Sequence, residues 1–496
     1  MNFINQMKAK YLLLSHYLGI VLMLNGAILM LPLLSLIFYK EESAEAIFFL
    51  LPAAIAGIIG VIVWYVTKSQ EQHAKVSIKE GGIIVVFSWI MICLVSAIPF
   101  LLSGQLNFTQ AVFESVSGWT TTGLSVVDVT KTSHIFLIWR STMQFFGGAG
   151  IAVIVLASII GPSGLGLYSA EGRTDLLLPN ITKSAKLIMT IYIGYILSGT
   201  ILYIVAGMPV FDAINHAIAA LSTGGFSTVP NSIGEYNNLA IEFITLILMF
   251  LGTVNFAAHY LVIKGEFKKF IQLGEIKLMF FFLSVMIPLV AYFSMNELYH
   301  NLGKSIRVAV FELTSALSTT GFSTVSYSDW NDFGILAMII LMLIGGGTGS
   351  TAGGIKQYRI YVLYRSLVRN LKGFILPSKR YEEISVNKPE GRVFLKSQEV
   401  INVSNFVFIY IIIYIIGVSI MLMNGYPLRE SLFEYASSIG TVGLSVGITS
   451  ASAPLSVLWA QIIGMLFGRL EILIIFYAII KIVKDIKMIH NKARII

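Results

Sequence analysis

The chain has 496 residues, 56% of them hydrophobic and only 12% charged, with a formal net charge of +8. So few polar side chains cannot cover a soluble globule, which excludes a water-soluble domain and leaves a membrane protein. The single cysteine, Cys93, excludes a disulfide framework and a thiolate metal cluster.

Uncharged apolar stretches near the twenty residues that cross a bilayer recur along the chain. Ten are read: 11–38, 47–66, 83–103, 135–158, 187–207, 239–262, 278–295, 333–355, 402–423 and 457–480. The first is too long for a signal peptide and no small-residue cleavage site closes it. With the amino terminus inside, 27 of the 34 Lys and Arg lie on the cytoplasmic side, among them Lys75, Arg173, Lys264 and the run from Lys356 to Lys396. Outside are Lys40, Lys131, Lys304, Arg307 and Arg429. This positive-inside asymmetry puts both termini in the cytoplasm. The charge is an orientation signal, and no nucleic-acid partner is expected.

Four segments between spans read alike. They are Thr120-Thr121-Thr122-Gly123-Leu124-Ser125, Ser222-Thr223-Gly224-Gly225-Phe226-Ser227, Ser318-Thr319-Thr320-Gly321-Phe322-Ser323 and Gly440-Thr441-Val442-Gly443-Leu444-Ser445. Ten residues before the Gly stands Phe113-Glu114, Asn215-His216, Phe311-Glu312 or Phe433-Glu434. The stretch between pair and Gly suits a half-helix of two to three turns, too short to span and too apolar for a free loop. The expected fold is therefore an all-α polytopic membrane protein: four parallel repeats of span, pore half-helix, filter and span around one pore. The repeats occupy 81–160, 183–264, 275–365 and 401–484. A two-span addition (1–80), a cytoplasmic linker (366–400) and a cytoplasmic tail (485–496) complete the chain.

A cation filter replaces the water of a dehydrating ion with backbone carbonyls, and Gly supplies the dihedral freedom this needs. The candidate ligands are Thr121, Thr122 and Gly123; Thr223, Gly224 and Gly225; Thr319, Thr320 and Gly321; and Thr441, Val442 and Gly443. Half-helices would add their negative carboxyl-terminal ends.

The Gly-rich run 345–354 interrupts an apolar span. No strand precedes it and Gly-Lys-Ser/Thr is absent, so it is no nucleotide loop. Two readings remain, close packing of small residues and an unwound hairpin that blocks the pore, with Gly345, Gly346, Gly347, Thr348, Gly349 and Ser350 as gate residues. Arg140 is expected to pair with Glu114 or Glu312. Arg469, in the last span, should face a cavity, bind the loop's carbonyls and put a positive charge in the ion's path. Glu471 should face protein or the inner cavity. His259 reads as interfacial, and His216 as the start of the second half-helix.

On these residues the chain resembles the Trk/Ktr/HKT superfamily of potassium-transporting subunits, over about residues 83–480. Trp139-Arg140 with Gly147-Gly148-Ala149-Gly150, the run from Gly345 to Lys356, and Gly468-Arg469-Leu470-Glu471 each resemble family motifs. The two extra spans and Arg469-Leu470-Glu471 resemble the TrkH/TrkG branch. The resemblance implies channel-like potassium uptake in a bacterial cytoplasmic membrane, with K+ bound at the filter residues and Gly at all four positions as in potassium-selective members. It also implies a homodimer and a cytoplasmic, nucleotide-binding TrkA-type regulatory subunit, with 364–400 and 481–496 as docking surfaces. No cofactor in this chain and no enzymatic activity are expected. The alternative is a symporter coupling potassium to protons or sodium. Parallel repeats and the lack of an Asp/Glu/His relay argue against it.

Overall fold

Among the described residues of this computed structural model, six helices are long and apolar enough to cross a membrane, and two bent pairs pass the same test together. The described residues are 3–68, 78–148, 150, 181–375, 383–389 and 391–493. The inner part of the fourth predicted span (151–158), Ala149, Lys75, Arg173 and Arg494 lie outside them.

Helix α1 (Phe3–Leu29) gives way to a 3₁₀ stretch, Leu31–Ile37, where Pro32 removes a backbone donor. α2 (Ala46–Thr67) packs along α1, and α3 (Ile78–Leu102) packs against both. Four units follow, each a long helix, a short helix, an extended segment and a second helix. The long helices are α3, α6 (Ile181–Val205), α11 (Gly274–Val290) and α16 (Ser397–Met423). The short ones are α4 (Phe108–Trp119), α7 (Val210–Leu221), α13 (Leu302–Ser318) and α17 (Leu428–Gly440). α11 runs through Pro288 into a π-helical turn, Ala291–Met295, and the one-turn α12 (Asn296–Tyr299).

Local chemistry starts each short helix. Asn107 and Gln110 form a reciprocal capping box, Asn301 accepts from the Lys304 N–H, and Pro209 and Pro427 hold the N-cap positions. The 12 residues of α7 reach about 18 Å, well short of the ~30 Å hydrocarbon core. These helices begin upstream of the Phe-Glu pairs. His216 and its Glu counterparts therefore sit inside the helices and not at their starts, a correction to the sequence reading.

In units two, three and four the second helix is broken. α8 (Leu239–Thr253) meets α9 (Phe256–Ile263) at 108°, and α18 (Leu455–Arg469) meets α19 (Ile472–Ala493) at 107°. α14 (Asp332–Ile344) ends at Gly345, and the chain stays non-helical until α15 (Gln357–Ile375). The straight spans predicted at 239–262 and 457–480 are thus bent pairs. Extended Val254 and Leu470 form the corners, and the Asn255 side chain restarts α9 by accepting from Ala257 N–H at 2.8 Å. Hydropathy misses such corners because both arms are apolar and no proline marks them. After α9 come the six-residue α10 (Phe267–Gln272) and, in the linker, an antiparallel hairpin of β1 (Ser385–Lys388) and β2 (Gly391–Phe394).

Burial explains how the units close on one another. Leu458, Ile462 and Met465 of α18 share a buried cluster with Trp119, Trp139 and Met143 of the first unit. A second cluster joins the third and fourth units, through Leu317, Met342, Ile439 and Val457. A third is centred on the second unit and takes in Phe311 and Phe322 of the third. Last therefore packs against first.

Candidate functional site

One or two residues beyond each short helix stands a threonine in the left-handed region: Thr121 (φ 54°), Thr223 (52°), Thr319 (56°) and Thr441 (50°). For a β-branched residue that is an outlier, held only where surrounding structure enforces it. A Schellman closure does so here. Thr121 N–H donates to Gly118 O (3.1 Å) and Thr122 N–H to Ser117 O (2.9 Å). The same pair of bonds recurs at Thr223 and Gly224, at Thr319 and Thr320, and at Thr441 and Val442.

The next residues are Gly123 (φ 92°), Gly225 (67°), Gly321 (81°) and Gly443 (98°). Gly123 lies against the carbonyl oxygen of Gly224, Gly225 against that of Thr320, Gly321 against that of Val442, and Gly443 against that of Thr122. The sequence runs from unit one to two to three to four and back to one, so it closes a ring. A Cβ at any of the four would fall inside the radius of the neighbouring oxygen. Thr122, Gly224, Thr320 and Val442 are buried while all four ring glycines are partly exposed. The glycines form the floor of a cavity of about 700 Å³, whose walls carry Ser125, Ser227, Ser323 and Ser445. At its rim the Asp128 carboxyl is held down at about 2 by the Thr130 hydroxyl and by Lys131, so it is anionic at neutral pH.

The Glu positions brace the strand that leaves this ring. Glu114 accepts from Ser125 Oγ (2.9 Å) and Val126 N–H (3.0 Å). Glu312 accepts from Thr324 N–H (2.7 Å), and Glu434 from Val446 N–H (2.9 Å). His216 does this in the second unit, with Nε2 3.0 Å from Ser227 Oγ. Its Nδ1 lies 2.8 Å from the Asp212 carbonyl, which can only accept, so Nδ1 carries the proton.

Of the two partners open to Arg140, the structure selects Glu114, with Nε 2.7 Å from Oε1 and both side chains buried. Arg140 also donates to the Ser227 carbonyl at 3.0 Å, linking units one and two. Removing one partner of a buried pair strands the other charge, at a cost of about 3–5 kcal/mol. Arg140→Leu should therefore lower the melting temperature in detergent sharply, and Arg140→Leu with Glu114→Gln should recover part of the loss. An unchanged melting curve for the single variant would show that the pair is dispensable.

On the other side of the ring lies the segment from Gly345 to Lys356. Gly345 O accepts from Gln357 Nε2 (3.1 Å), and Gly346 N–H reaches Gly353 O (3.4 Å). Gly347 N–H donates to Thr253 O (2.9 Å) and Gly349 O accepts from Phe256 N–H (3.3 Å), which ties the segment to the α8–α9 corner. Thr348 N–H donates to Glu275 (2.8 Å), and Ser350 Oγ to Gly347 O (2.6 Å). Toward the ring, Thr351 Oγ1 is 3.1 Å from Thr223 Oγ1, and Gly353 N–H donates to Thr319 Oγ1 at 2.9 Å. Arg469 donates to Thr351 O (2.5 Å) and also to Gly147 O (2.6 Å) and Gly148 O (2.8 Å). One guanidinium thus joins the first unit, the Gly-rich segment and the last corner.

Glu471 does not pair with Arg469; it holds Arg359 on α15 at 2.5 Å. His259 is buried, not interfacial: its Nε2 is 2.9 Å from Leu251 O. The sequence reading missed Gln144, whose amide binds the Gly224–Phe226 segment of unit two, and the Glu242–Arg307 pair at 2.6 Å. A polar residue inside an apolar helix was the available signal for Gln144.

Comparison with known proteins agrees across nearly the whole chain. Residues 49–488 match the family model TrkH, described as a cation transport protein. The chain is 31% identical over 475 residues to the Trk system potassium uptake protein TrkG of Escherichia coli K12, covering 92% of this chain and 95% of that protein. It is 29% identical to the Trk system potassium uptake protein TrkH of Salmonella typhimurium, covering 92% and 96%. The crystal structure of the potassium transporter TrkH from Vibrio parahaemolyticus superposes with a TM-score of 0.82 at 27% identity, over 94% of this chain and 98% of that one.

Proposed function

The chain belongs to the TrkH family of cation transport proteins, a family of transporters and not of enzymes, and from that premise we propose that it takes up potassium through the ring of Gly123, Gly225, Gly321 and Gly443. The observation that carries this reading is the closed succession in which each glycine meets the carbonyl of the next unit. Carbonyls of Thr121, Thr122 and Gly123 and their counterparts replace the hydration shell of the ion. Short-helix carboxyl ends, aimed at the same place, favour a cation. Potassium is the cargo named for the relatives.

In this reading the wide cavity faces outward and collects cations past Asp128. The Gly-rich segment and Arg469 lie below as a closed gate. The termini are cytoplasmic in a bacterial inner membrane, two copies assemble, and a cytoplasmic nucleotide-binding TrkA-type subunit acts on the gate through the linker. A symporter is the competing mechanism. Proteoliposomes loaded for potassium, rubidium and sodium flux separate the two. A channel-like pathway gives a reversal potential that follows the potassium gradient alone. A shift of that potential with an imposed proton or sodium gradient would overturn it in favour of coupling.

A further inference from the structure

The second filter segment departs from the others: where they have Thr122, Thr320 and Val442, it has Gly224. The structure supplies the reason. A Cβ at Gly224 would run into the amide of Gln144, whose atoms occupy the space that the other three units give to a side chain. Gln144 is fully buried on α5 (His134–Gly148), the second helix of unit one, and reaches across to unit two. Its Nε2 donates to Gly224 O at 2.6 Å and its Oε1 accepts from Phe226 N–H at 3.3 Å. These partners define the orientation of the amide: a carbonyl can only accept and a backbone N–H can only donate. Gly224 O is also the oxygen that meets Gly123 in the ring.

We infer that Gln144 is a positioning residue that sets the selectivity of the ring by restraining the Gly224 carbonyl. This rests on the reading of the ring as the potassium filter. A carbonyl oxygen has two lone pairs, so it can accept from Gln144 on one side and face an ion on the other. With the amide in place the oxygen cannot move inward to fit a smaller ion. Released, it can follow sodium. Among the four carbonyls of this level in the ring, Gly224 O is thus held from behind by a side chain of another unit. Gln144 and Gly224 act as one exchangeable pair: amide with glycine here, a side chain on the filter residue elsewhere.

The test is a set of variants in proteoliposomes, each first checked for a monodisperse detergent profile. Gln144→Leu keeps the bulk and removes the donor. It should raise the sodium-to-potassium permeability ratio about two- to tenfold, the range expected from one ordinary hydrogen bond. Gln144→Glu, which accepts from Phe226 but cannot donate to Gly224 O when ionised, should shift the ratio in the same direction. Gly224→Thr alone should lose selectivity by collision with Gln144. Gln144→Ala with Gly224→Thr rebuilds the pattern of the other units and should recover selectivity beyond either single change. A purely structural Gln144 would alter yield and melting but not the permeability ratio. Parental ratios in both folded Gln144→Leu and Gln144→Glu overturn the inference. Gly123→Ala in the same assay separates this from failure of the filter reading: if it too leaves the ratio unchanged, the ring is not the filter, whereas a changed ratio there confines the failure to Gln144.

Discussion

Gly321→Ala is expected to abolish discrimination between potassium and sodium while the protein still reaches the membrane. Two costs combine at this position. Its φ of 81° lies where an L side chain is strained by roughly 1–3 kcal/mol, and the new methyl would overlap the carbonyl oxygen of Val442. Either the Gly321 strand or the Val442 carbonyl must shift to make room, so the proposed binding level is distorted in the units that meet there. Loss of about 1.4 kcal/mol of differential binding already lowers selectivity tenfold, and a fall of ten- to a hundredfold is expected. Gly123→Ser should behave similarly by displacing the Gly224 carbonyl. Gly425→Ala is the control. Its φ is 87° but no atom stands within 4 Å of its Cβ position, so it carries the strain without the collision. Parental permeability ratios in Gly321→Ala and Gly123→Ser would sink the filter assignment.

Arg469→Ala should increase potassium and rubidium flux about tenfold in proteoliposomes holding this chain alone, and leave the potassium-to-sodium ratio near that of the parent. The guanidinium is held by three backbone carbonyls, of Thr351, Gly147 and Gly148. Hydrogen bonds from a charged donor contribute roughly 1.5–3 kcal/mol each. Losing the bond to Thr351 weakens the segment's hold on the proposed closed arrangement and also removes a fixed positive charge from the proposed path. The ratio survives because no ring atom bonds to Arg469 among the contacts described. Arg469→Lys keeps the charge but not the fork that reaches two elements at once, so it should fall between parent and Ala. A folded Arg469→Ala protein with flux equal to or below the parent would remove Arg469 from the barrier.

Much of this molecule is legible in one dimension. Apolar runs of about twenty residues mark the spans, because crossing hydrocarbon makes a demand that any single segment must meet alone. Four Thr-x-Gly-apolar-Ser segments mark the ring for a similar reason. The left-handed Thr and the positive-φ Gly are local backbone requirements, repeated wherever a short helix turns into an extended strand. Even Arg140 was confined to two acidic partners, since a buried guanidinium requires one.

The tertiary structure decided what depends on neighbours distant along the chain. Which carbonyl meets which glycine follows from the closing of last unit on first. Glu114 rather than Glu312 takes Arg140 because α5 packs on α4 in its own unit. The corners at Val254 and Leu470 escaped a hydropathy reading because apolar residues line both arms; what holds them is contact between segments, such as Gly347 N–H on Thr253 O and Arg469 on Thr351 O. Gly224 is the sharpest case. In the sequence it is one more glycine in a repeated Thr-x-Gly segment. Its reason stands 80 residues away, in a glutamine that fills the place of the missing side chain.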